Sequence, residues 1–249
     1  QMVLVADRYL LLPSLGFALC VAVGLARINP FRARVALSAV LVVAASIRTL
    51  DARTNWSSSL ALWERAVTTN PADGDAWSKY TEALVEAHDP ERAFEVVSEG
   101  EKHSRSPRLL MRKALLVLDR GDRAEGMRLM QQAADGGEFR AMTNLALLLL
   151  EANEVERALG WARRGAAAAP LYANGQRALG KIALQAQRSE EALAAFERAY
   201  TLEPGVLSNR FNLALALIAV GRPGDARPHL EACVADPVLG PRARQLLGR

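Results

Sequence analysis

The amino-acid sequence predicts an all-α protein, in which an N-terminal transmembrane helical hairpin precedes an α-solenoid of about five helix-turn-helix repeats. Three observations lead to this prediction. Leu and Ala dominate an apolar content of 51%, and aromatic residues make up only 6%, which favours helices over strands. Two apolar runs lie close to the start of the chain. Beyond them, small and large apolar residues recur with a fixed period that is typical of stacked helical hairpins.

The predicted membrane hairpin consists of two spans, over residues 10–26 and 35–50. The first run carries no charge and lies between Tyr9 and Arg27, which suit the membrane interface. The second run reaches residue 50 only if Arg48 lies at the opposite interface. Together the two runs predict a membrane part over residues 1–53.

The short loop between the two spans sets the expected orientation. Arg27, Arg32 and Arg34 lie in or beside it without an acidic residue, which favours the cytoplasmic side. The repeats would then be extracytoplasmic, and we expect the bacterial inner membrane as the location. Because Gln1 is followed so soon by an apolar run, we also expect a longer polypeptide. The alternative is a soluble adaptor whose first helices fold onto the repeats.

Residues 54–72 are predicted to form an amphipathic helix that connects the membrane part to the repeats. Leu60, Trp63 and Val67 are spaced at i, i+3 and i+7, so they share one helical face. We expect this helix to couple the membrane hairpin to the solenoid.

Residues 73–240 are predicted to form the solenoid, and residues 241–249 a partial terminal helix. The most regular segment is residues 173–204, in which Ala192 is followed 34 positions later by Ala226. This spacing, with small residues at helix crossings, resembles the tetratricopeptide-repeat (TPR) family. The resemblance implies paired helices that bury their apolar faces only by stacking. Four repeats are predicted to begin near Gly74, Pro107, Phe139 and Ala173, and a fifth follows them, with Leu213, Ala214, Gly221, Ala226 and Leu230 in repeat positions.

The first helix of each repeat is predicted to line a concave groove that binds a protein segment. Asn side chains can donate to and accept from a peptide backbone, and Arg can hold a carboxylate through two parallel hydrogen bonds. A groove that is merely solvated is the alternative. The candidate peptide-binding residues are Lys79, Arg112, Arg140, Asn144, Arg177, Lys181 and Asn212.

No catalytic residue, metal site or cofactor is predicted from the sequence. The three histidines are scattered without metal-ligand spacing, and Cys20 and Cys233 do not resemble a disulfide framework. The net charge of +4 comes mainly from dispersed Arg residues, so no nucleic-acid partner is expected. The predicted partners are a protein or peptide and membrane lipid.

Two stretches outside the regular repeats carry a second resemblance. ADRYLLLPSLGF, residues 6–17, and TNWSSSLALWERAVTTNP, residues 54–71, resemble the junction in transmembrane and TPR-containing proteins, which include protein O-mannosyltransferases. The resemblance implies a non-catalytic C-terminal portion of a multispanning, lipid-linked-sugar-dependent glycosyltransferase. The family's catalytic acids lie upstream of this sequence, so none is assigned. Arg8 and Tyr9 would contact a lipid phosphate or act as interfacial anchors.

Two functions are therefore predicted. The first is a membrane-anchored TPR scaffold for protein–protein interaction, and the alternative is the glycosyltransferase portion.

Overall fold

The computed structural model describes Val23 and residues 31–55 and 58–248. All regular secondary structure within these residues is α-helical, as predicted. The described residues form two compact units, of which the first ends at Leu62 and the second begins at Trp63. The helices are α1 (Phe31–Asn55), α2 (Ser59–Thr69), α3 (Gly74–Glu86), α4 (Pro90–His103), α5 (Pro107–Asp119), α6 (Arg123–Asp135), α7 (Phe139–Glu151), α8 (Val155–Ala168), α9 (Ala173–Gln185), α10 (Ser189–Leu202), α11 (Leu207–Ala219), α12 (Pro223–Glu231) and α13 (Gly240–Leu247).

The first unit contains α1, which includes the second predicted membrane span, residues 35–50. The helix is present, but no helix in the described part of the chain is both long and apolar enough to cross a membrane. The uncharged run of α1 ends before Arg48, and its length of about 20 Å falls short of a hydrocarbon core of about 30 Å. The predicted transmembrane hairpin is therefore unsupported. The span over residues 10–26 lies outside the described residues, apart from Val23, as do Arg8 and Tyr9.

The second unit consists of paired helices. Five hairpins follow one another, namely α3 with α4, α5 with α6, α7 with α8, α9 with α10 and α11 with α12, and α13 packs against α12. In the first four hairpins the first helix begins at a residue near which the sequence predicts a repeat to begin, namely Gly74, Pro107, Phe139 and Ala173. Each first helix also contacts the second helix of the preceding hairpin, so the apolar faces are covered only by stacking.

Small residues set the distance between the helices of a hairpin, as the sequence predicts. Ala192 and Ala226 are fully buried. Gly180 faces the ring of Phe196, and a Cβ atom at Gly180 would lie 2.6 Å from that ring. Phe196 is itself buried. A larger residue at position 180 would therefore force α9 and α10 apart.

The turn inside each hairpin contains one residue in the left-handed conformation. Gly121 and Gly221 occupy this position in the second and fifth repeats. His88, Asn153 and Gln187 adopt it in the other three, with φ of 60°, 61° and 57°. Because a Cβ atom makes this conformation unfavourable, the three non-glycine turns store strain.

Candidate functional site

A cavity in the second unit lies on α7, α9 and α11, the first helices of repeats three to five. Its volume is about 760 Å³. Residues at equivalent positions of successive repeats line up along it, because the repeats stack in register. We call this surface the C-terminal groove. Its walls carry Thr143, Arg177 and Phe211 in one row, Asn144, Ala178 and Asn212 in the next, and Leu147, Lys181 and Leu215 in the third.

Apolar residues also line the C-terminal groove, among them Ala178 of the middle repeat. Ala178 presents only a methyl group where the neighbouring repeats present the amides of Asn144 and Asn212. The ring of Phe196 lines the groove from α10, the second helix of the same repeat. Leu239, which precedes α13, is also a lining residue. The groove therefore has a lining of both apolar and polar residues.

Four of the seven predicted binding residues line this cavity, namely Asn144, Arg177, Lys181 and Asn212. Arg140 lies at its rim, since its guanidinium carbon is 5.8 Å from the ring centroid of Tyr172, a lining residue. Lys79 and Arg112 lie on α3 and α5, outside the cavity. These placements divide the predicted groove into two regions.

Lys79 and Arg112 belong to a region that we call the N-terminal groove, together with Ser78 and Glu82. The Glu82 carboxylate lies 2.7 Å from Lys79 Nζ and 2.6 Å from Arg112 Nη2. Arg112 Nε also donates a hydrogen bond of 3.4 Å to Ser78 Oγ. Both cations are thus engaged with groups of the protein itself.

The ion pairs lower the pKa of Glu82. Burial of this carboxyl by itself raises the pKa. The hydrogen bond from Lys79 and the charge of Arg112 together outweigh burial, so the pKa lies below its ordinary value. Glu82 is therefore ionised at neutral pH and serves both cations of the N-terminal groove as a shared counterion.

Arg177 is tied to the body of the protein. Its Nη1 atom lies 2.6 Å from the Glu203 carboxylate and donates a hydrogen bond of 3.1 Å to Asn209 Oδ1. Asn209 is fully buried and donates to the carbonyl oxygens of Ala199 and Glu203, both at 3.0 Å. Arg177 therefore supports the junction between α10 and α11 as well as lining the groove.

Four other polar side chains that line the C-terminal groove, those of Lys181, Arg242, Asn144 and Asn212, make no ion pair or hydrogen bond within the described residues. Within the described part of the chain, Lys181 and Arg242 make no ion pair, and no acidic residue lines the cavity. The Arg242 guanidinium lies only over the Phe211 ring, at 5.9 Å. The side chains of Asn144 and Asn212 likewise make no hydrogen bond among the described residues. This surface is positively charged and open to a ligand.

Sequence reasoning missed Arg242 and the apolar lining residues. Leu147 and Leu215 could have been found, because each lies 34 positions from Lys181. Arg242 gave no such signal, since α12 is short and contains Pro228, which breaks the register before α13. No groups of His, Cys, Asp or Glu that could hold a metal ion occur in the described residues.

Comparison with known structures identifies the fold. YrrB, a TPR protein with an unusual peptide-binding site, is 15% identical and superimposes with a TM-score of 0.55 over 74% of this chain and 97% of YrrB. The fold is the tetratricopeptide-repeat fold. MamA from Desulfovibrio magneticus RS-1, residues 41 to the end, has the same fold at 19% identity and a TM-score of 0.52, over 66% of this chain and 93% of MamA.

The Cut9–Hcn1 hetero-tetramer of the APC/C contains a longer TPR structure. It is 14% identical with a TM-score of 0.59 and covers 75% of this chain, which spans only 38% of that protein. No protein-family model matches the sequence, and no curated protein matches it. These likenesses establish the TPR fold. The relationship to transmembrane and TPR-containing proteins stays a prediction from the sequence.

Proposed function

We propose that this protein is an interaction scaffold, and that its C-terminal groove binds an extended segment of a partner protein. One observation carries the proposal: a cavity of about 760 Å³ presents cations and amides that have no partner within the described residues. Asn144 and Asn212 can each donate to and accept from a peptide backbone. Lys181 and Arg242 can hold carboxylates. YrrB, which shares the fold, has a peptide-binding site.

Selection of peptides tests this proposal without knowledge of the natural partner. A random peptide library displayed on phage is panned against the full chain, and enriched peptides are synthesised with a fluorescent label. We expect them to bind the wild type and to lose about tenfold in affinity with Lys181→Glu, because one carboxylate contact becomes a repulsion.

Arg198→Glu is the matched control, since Arg198 is exposed on α10 and does not line the C-terminal groove. Its affinity should equal that of the wild type, and both variants should melt at the wild-type temperature. Enriched peptides that bind wild type and Lys181→Glu equally would overturn the groove as the binding site.

We also propose that the N-terminal segment holds the repeats at a membrane, with the repeats on the extracytoplasmic side of the bacterial inner membrane. Support comes from α1, whose Val35, Val40, Val42 and Val43 side chains are at least half exposed. These side chains lie on several sides of the helix, and such a helix requires an apolar environment. Lipid contact by α1, Arg8 and Tyr9 belongs to this proposal.

Cysteine labelling in sealed vesicles tests the membrane proposal. Cys20 and Cys233 are first replaced, and single cysteines are then placed within residues 27–34 or on the repeat surface beside Arg140. In right-side-out vesicles we expect an impermeant maleimide, added from outside, to label the cysteine beside Arg140 but not the cysteine within residues 27–34. Recovery of the chain in the aqueous fraction after carbonate extraction would contradict membrane attachment.

A further inference from the structure

We infer that one edge of the repeats binds the surface of an anionic lipid bilayer. In a stack of helical hairpins, the loops that join one repeat to the next all lie along the same edge. The last three of these loops carry apolar side chains, and arginines lie beside them. We call this surface the loop edge and define it by Leu171, Val206, Val238, Arg140, Arg210 and Arg244. None of these residues lines the cavity of the C-terminal groove, so the inference goes beyond the proposed peptide binding.

The apolar part of the loop edge recurs at the start of three successive first helices, α9, α11 and α13. Leu171 and Val238 are 84% and 80% exposed, and each lies just before the residue that precedes its helix. Asp73 and Glu138 cap α3 and α7 through their side chains. The preceding residues of α9, α11 and α13 provide no such cap, namely Tyr172, Val206 and Leu239. Because a polar cap stabilises a helix, the three loops forgo that stabilisation and present hydrocarbon instead.

The charge of the loop edge is opposite to what the helix dipole favours. The helices α4, α6, α8, α10 and α12 begin at the other edge, and each has an acidic residue in its first turn. The helices α7, α9, α11 and α13 have none. Instead, Arg140, Arg210 and Arg244 lie within the first five residues of α7, α11 and α13. Since acids stabilise a helix N-terminus and cations do not, these arginines point to an external anion.

The arginines of the loop edge make no ion pair within the described residues. The guanidinium of Arg140 lies over the Phe139 and Tyr172 rings, and that of Arg210 lies over the Tyr200 ring. Arg244 donates a hydrogen bond of 2.9 Å to the Val234 carbonyl oxygen. These contacts hold the side chains in place and leave their charge without a counterion.

Two nearby acids are already engaged. The Glu203 carboxylate lies 2.6 Å from Arg177, and the Asp236 carboxylate accepts hydrogen bonds from the backbone N–H groups of Val238 and Leu239, at 2.9 and 2.8 Å. The cations of the loop edge are therefore complementary to lipid phosphates.

The spacing of the apolar side chains favours a lipid surface over a protein. Leu171, Val206 and Val238 lie on three separate loops, so they form a row of points and not one continuous patch. A protein partner needs a continuous complementary surface, whereas a fluid bilayer accommodates separate points. The side chains enter the interfacial layer only, where the loop backbone keeps its contact with water.

A polarity-sensitive fluorophore on a single cysteine tests the inference in the full chain, after replacement of Cys20 and Cys233. The label is attached through Leu171→Cys or, at the opposite edge, through Glu190→Cys. The chain is reconstituted into vesicles of phosphatidylcholine alone or with about one third phosphatidylglycerol. We expect the label at position 171 to brighten and shift to shorter wavelength in the anionic vesicles only, and less so as salt is added. The label at position 190 should respond in neither.

Two sets of variants assign the contact to its residues. Arg210→Gln with Arg244→Gln should lower the equilibrium constant for lipid contact about tenfold, because two attractions to the anionic surface are lost. Arg188→Gln with Arg222→Gln makes the same change of charge at the opposite edge and should have no effect. Val238→Ser should weaken the contact by a smaller factor. Its exposed position keeps the melting temperature unchanged, so a weaker contact cannot be ascribed to unfolding.

The other outcomes overturn the inference. The label at position 171 could respond equally in neutral and anionic vesicles, or in neither. Light scattering of the detergent-solubilised chain could instead show a dimer that Val238→Ser dissociates, which would mean that a second copy covers the loop edge. Peptide binding and attachment by the N-terminal segment would stand in each case, because the phage-selected peptides and carbonate extraction test them separately.

Discussion

The N-terminal and C-terminal grooves carry opposite charges at an equivalent position of the repeat. Glu82 in the first repeat and Lys181 in the fourth occupy one position of the first helix. The former is a counterion shared by Lys79 and Arg112, and the latter has no counterion within the described residues. The backbone is the same in both places. The charge at this position, negative at Glu82 and positive at Lys181, therefore decides whether the nearby cations are paired internally or remain available to a partner.

The two grooves also differ in how the helices of their repeats are packed. In the fourth repeat Gly180 faces Phe196, whereas in the second repeat Ala114 and Met130 hold the equivalent positions, and both are fully buried. A smaller residue on the first helix is matched by a larger one on the second. This compensation of side-chain size packs Phe196, one of the lining residues of the C-terminal groove, against Gly180.

The largest expected effect comes from breaking that compensation. Gly180→Ala should lower the free energy of unfolding by about 1–3 kcal/mol, because the new Cβ atom would lie against the Phe196 ring. Gly160→Ala on α8 is the control, since no atom lies within 4 Å of a Cβ atom there. That control should stabilise by about 0.5–1 kcal/mol. Urea denaturation measures both.

A second substitution separates this packing from other causes. The double variant Gly180→Ala with Phe196→Leu should lose less stability than the sum of the losses of the two single variants, because the smaller side chain at position 196 makes room for the new methyl group. Strictly additive losses in the double variant would show that the two positions are not coupled.

The next effect distinguishes two cations of the C-terminal groove. Arg177→Gln should destabilise the fold by about 1–3 kcal/mol, since it leaves the buried Asn209 Oδ1 atom without its donor. Lys181→Gln should leave the melting temperature unchanged, because Lys181 is exposed. Differential scanning fluorimetry compares the two variants. Equal melting temperatures would refute the structural role of Arg177.

A smaller effect on stability comes from removing the internal counterion of the N-terminal groove. Glu82→Gln removes the carboxylate that Lys79 and Arg112 share, and we expect a loss of about 1 kcal/mol. The same variant should acquire binding of an all-aspartate peptide in fluorescence anisotropy, since two cations are released. If Glu82→Gln loses stability but does not bind the peptide, then pairing with Glu82 is not what prevents Lys79 and Arg112 from binding an acidic partner.

The pH dependence of stability reports on the same carboxyl. The folded-state pKa of Glu82 lies below its ordinary value of 4.5. Glu82 therefore contributes stability above the unfolded pKa, and this contribution is lost as the pH falls through the folded pKa. The difference in urea midpoint between wild type and Glu82→Gln should accordingly be present at pH 7 and shrink toward pH 3. A constant difference would contradict the assignment.

The sequence predicts the repeats well because their period is set by local residues. Small residues at helix crossings and turn residues act within one hairpin, so Ala192 and Ala226 can be recognised from spacing alone. The state of a groove cation depends instead on which acid reaches it across repeats. Nothing in the sequence distinguishes Arg112, which Glu82 pairs across repeats, from Lys181, which no described acid pairs. The division of the seven predicted binding residues into an N-terminal and a C-terminal groove therefore becomes visible only in the structure.

The apolar runs near the start illustrate a different limit. Composition identifies residues 35–50 as helical and hydrophobic, and α1 is a helix with exposed Val side chains. Hydrophobicity alone does not fix the span, because Arg48 shortens the uncharged run below the thickness of a bilayer core. The exposed Val side chains of α1 favour contact with an apolar environment. The charged residues at the ends of the run limit the length of helix that such an environment can surround.

The smallest expected effect concerns the turn of the fourth repeat, which joins the two helices beneath the C-terminal groove. Gln187 has φ of 57°, whereas Gly221 fills the same position in the next repeat. Gln187→Gly should relieve strain of about 1–2 kcal/mol and pay part of it back in backbone entropy, leaving a net stabilisation of at most about 1 kcal/mol. Asn153→Gly is the comparison and should gain less, because Asn tolerates the left-handed conformation better than Gln. Urea denaturation measures both, and a destabilised Gln187→Gly would mean that the Gln side chain contributes more than its backbone strain costs.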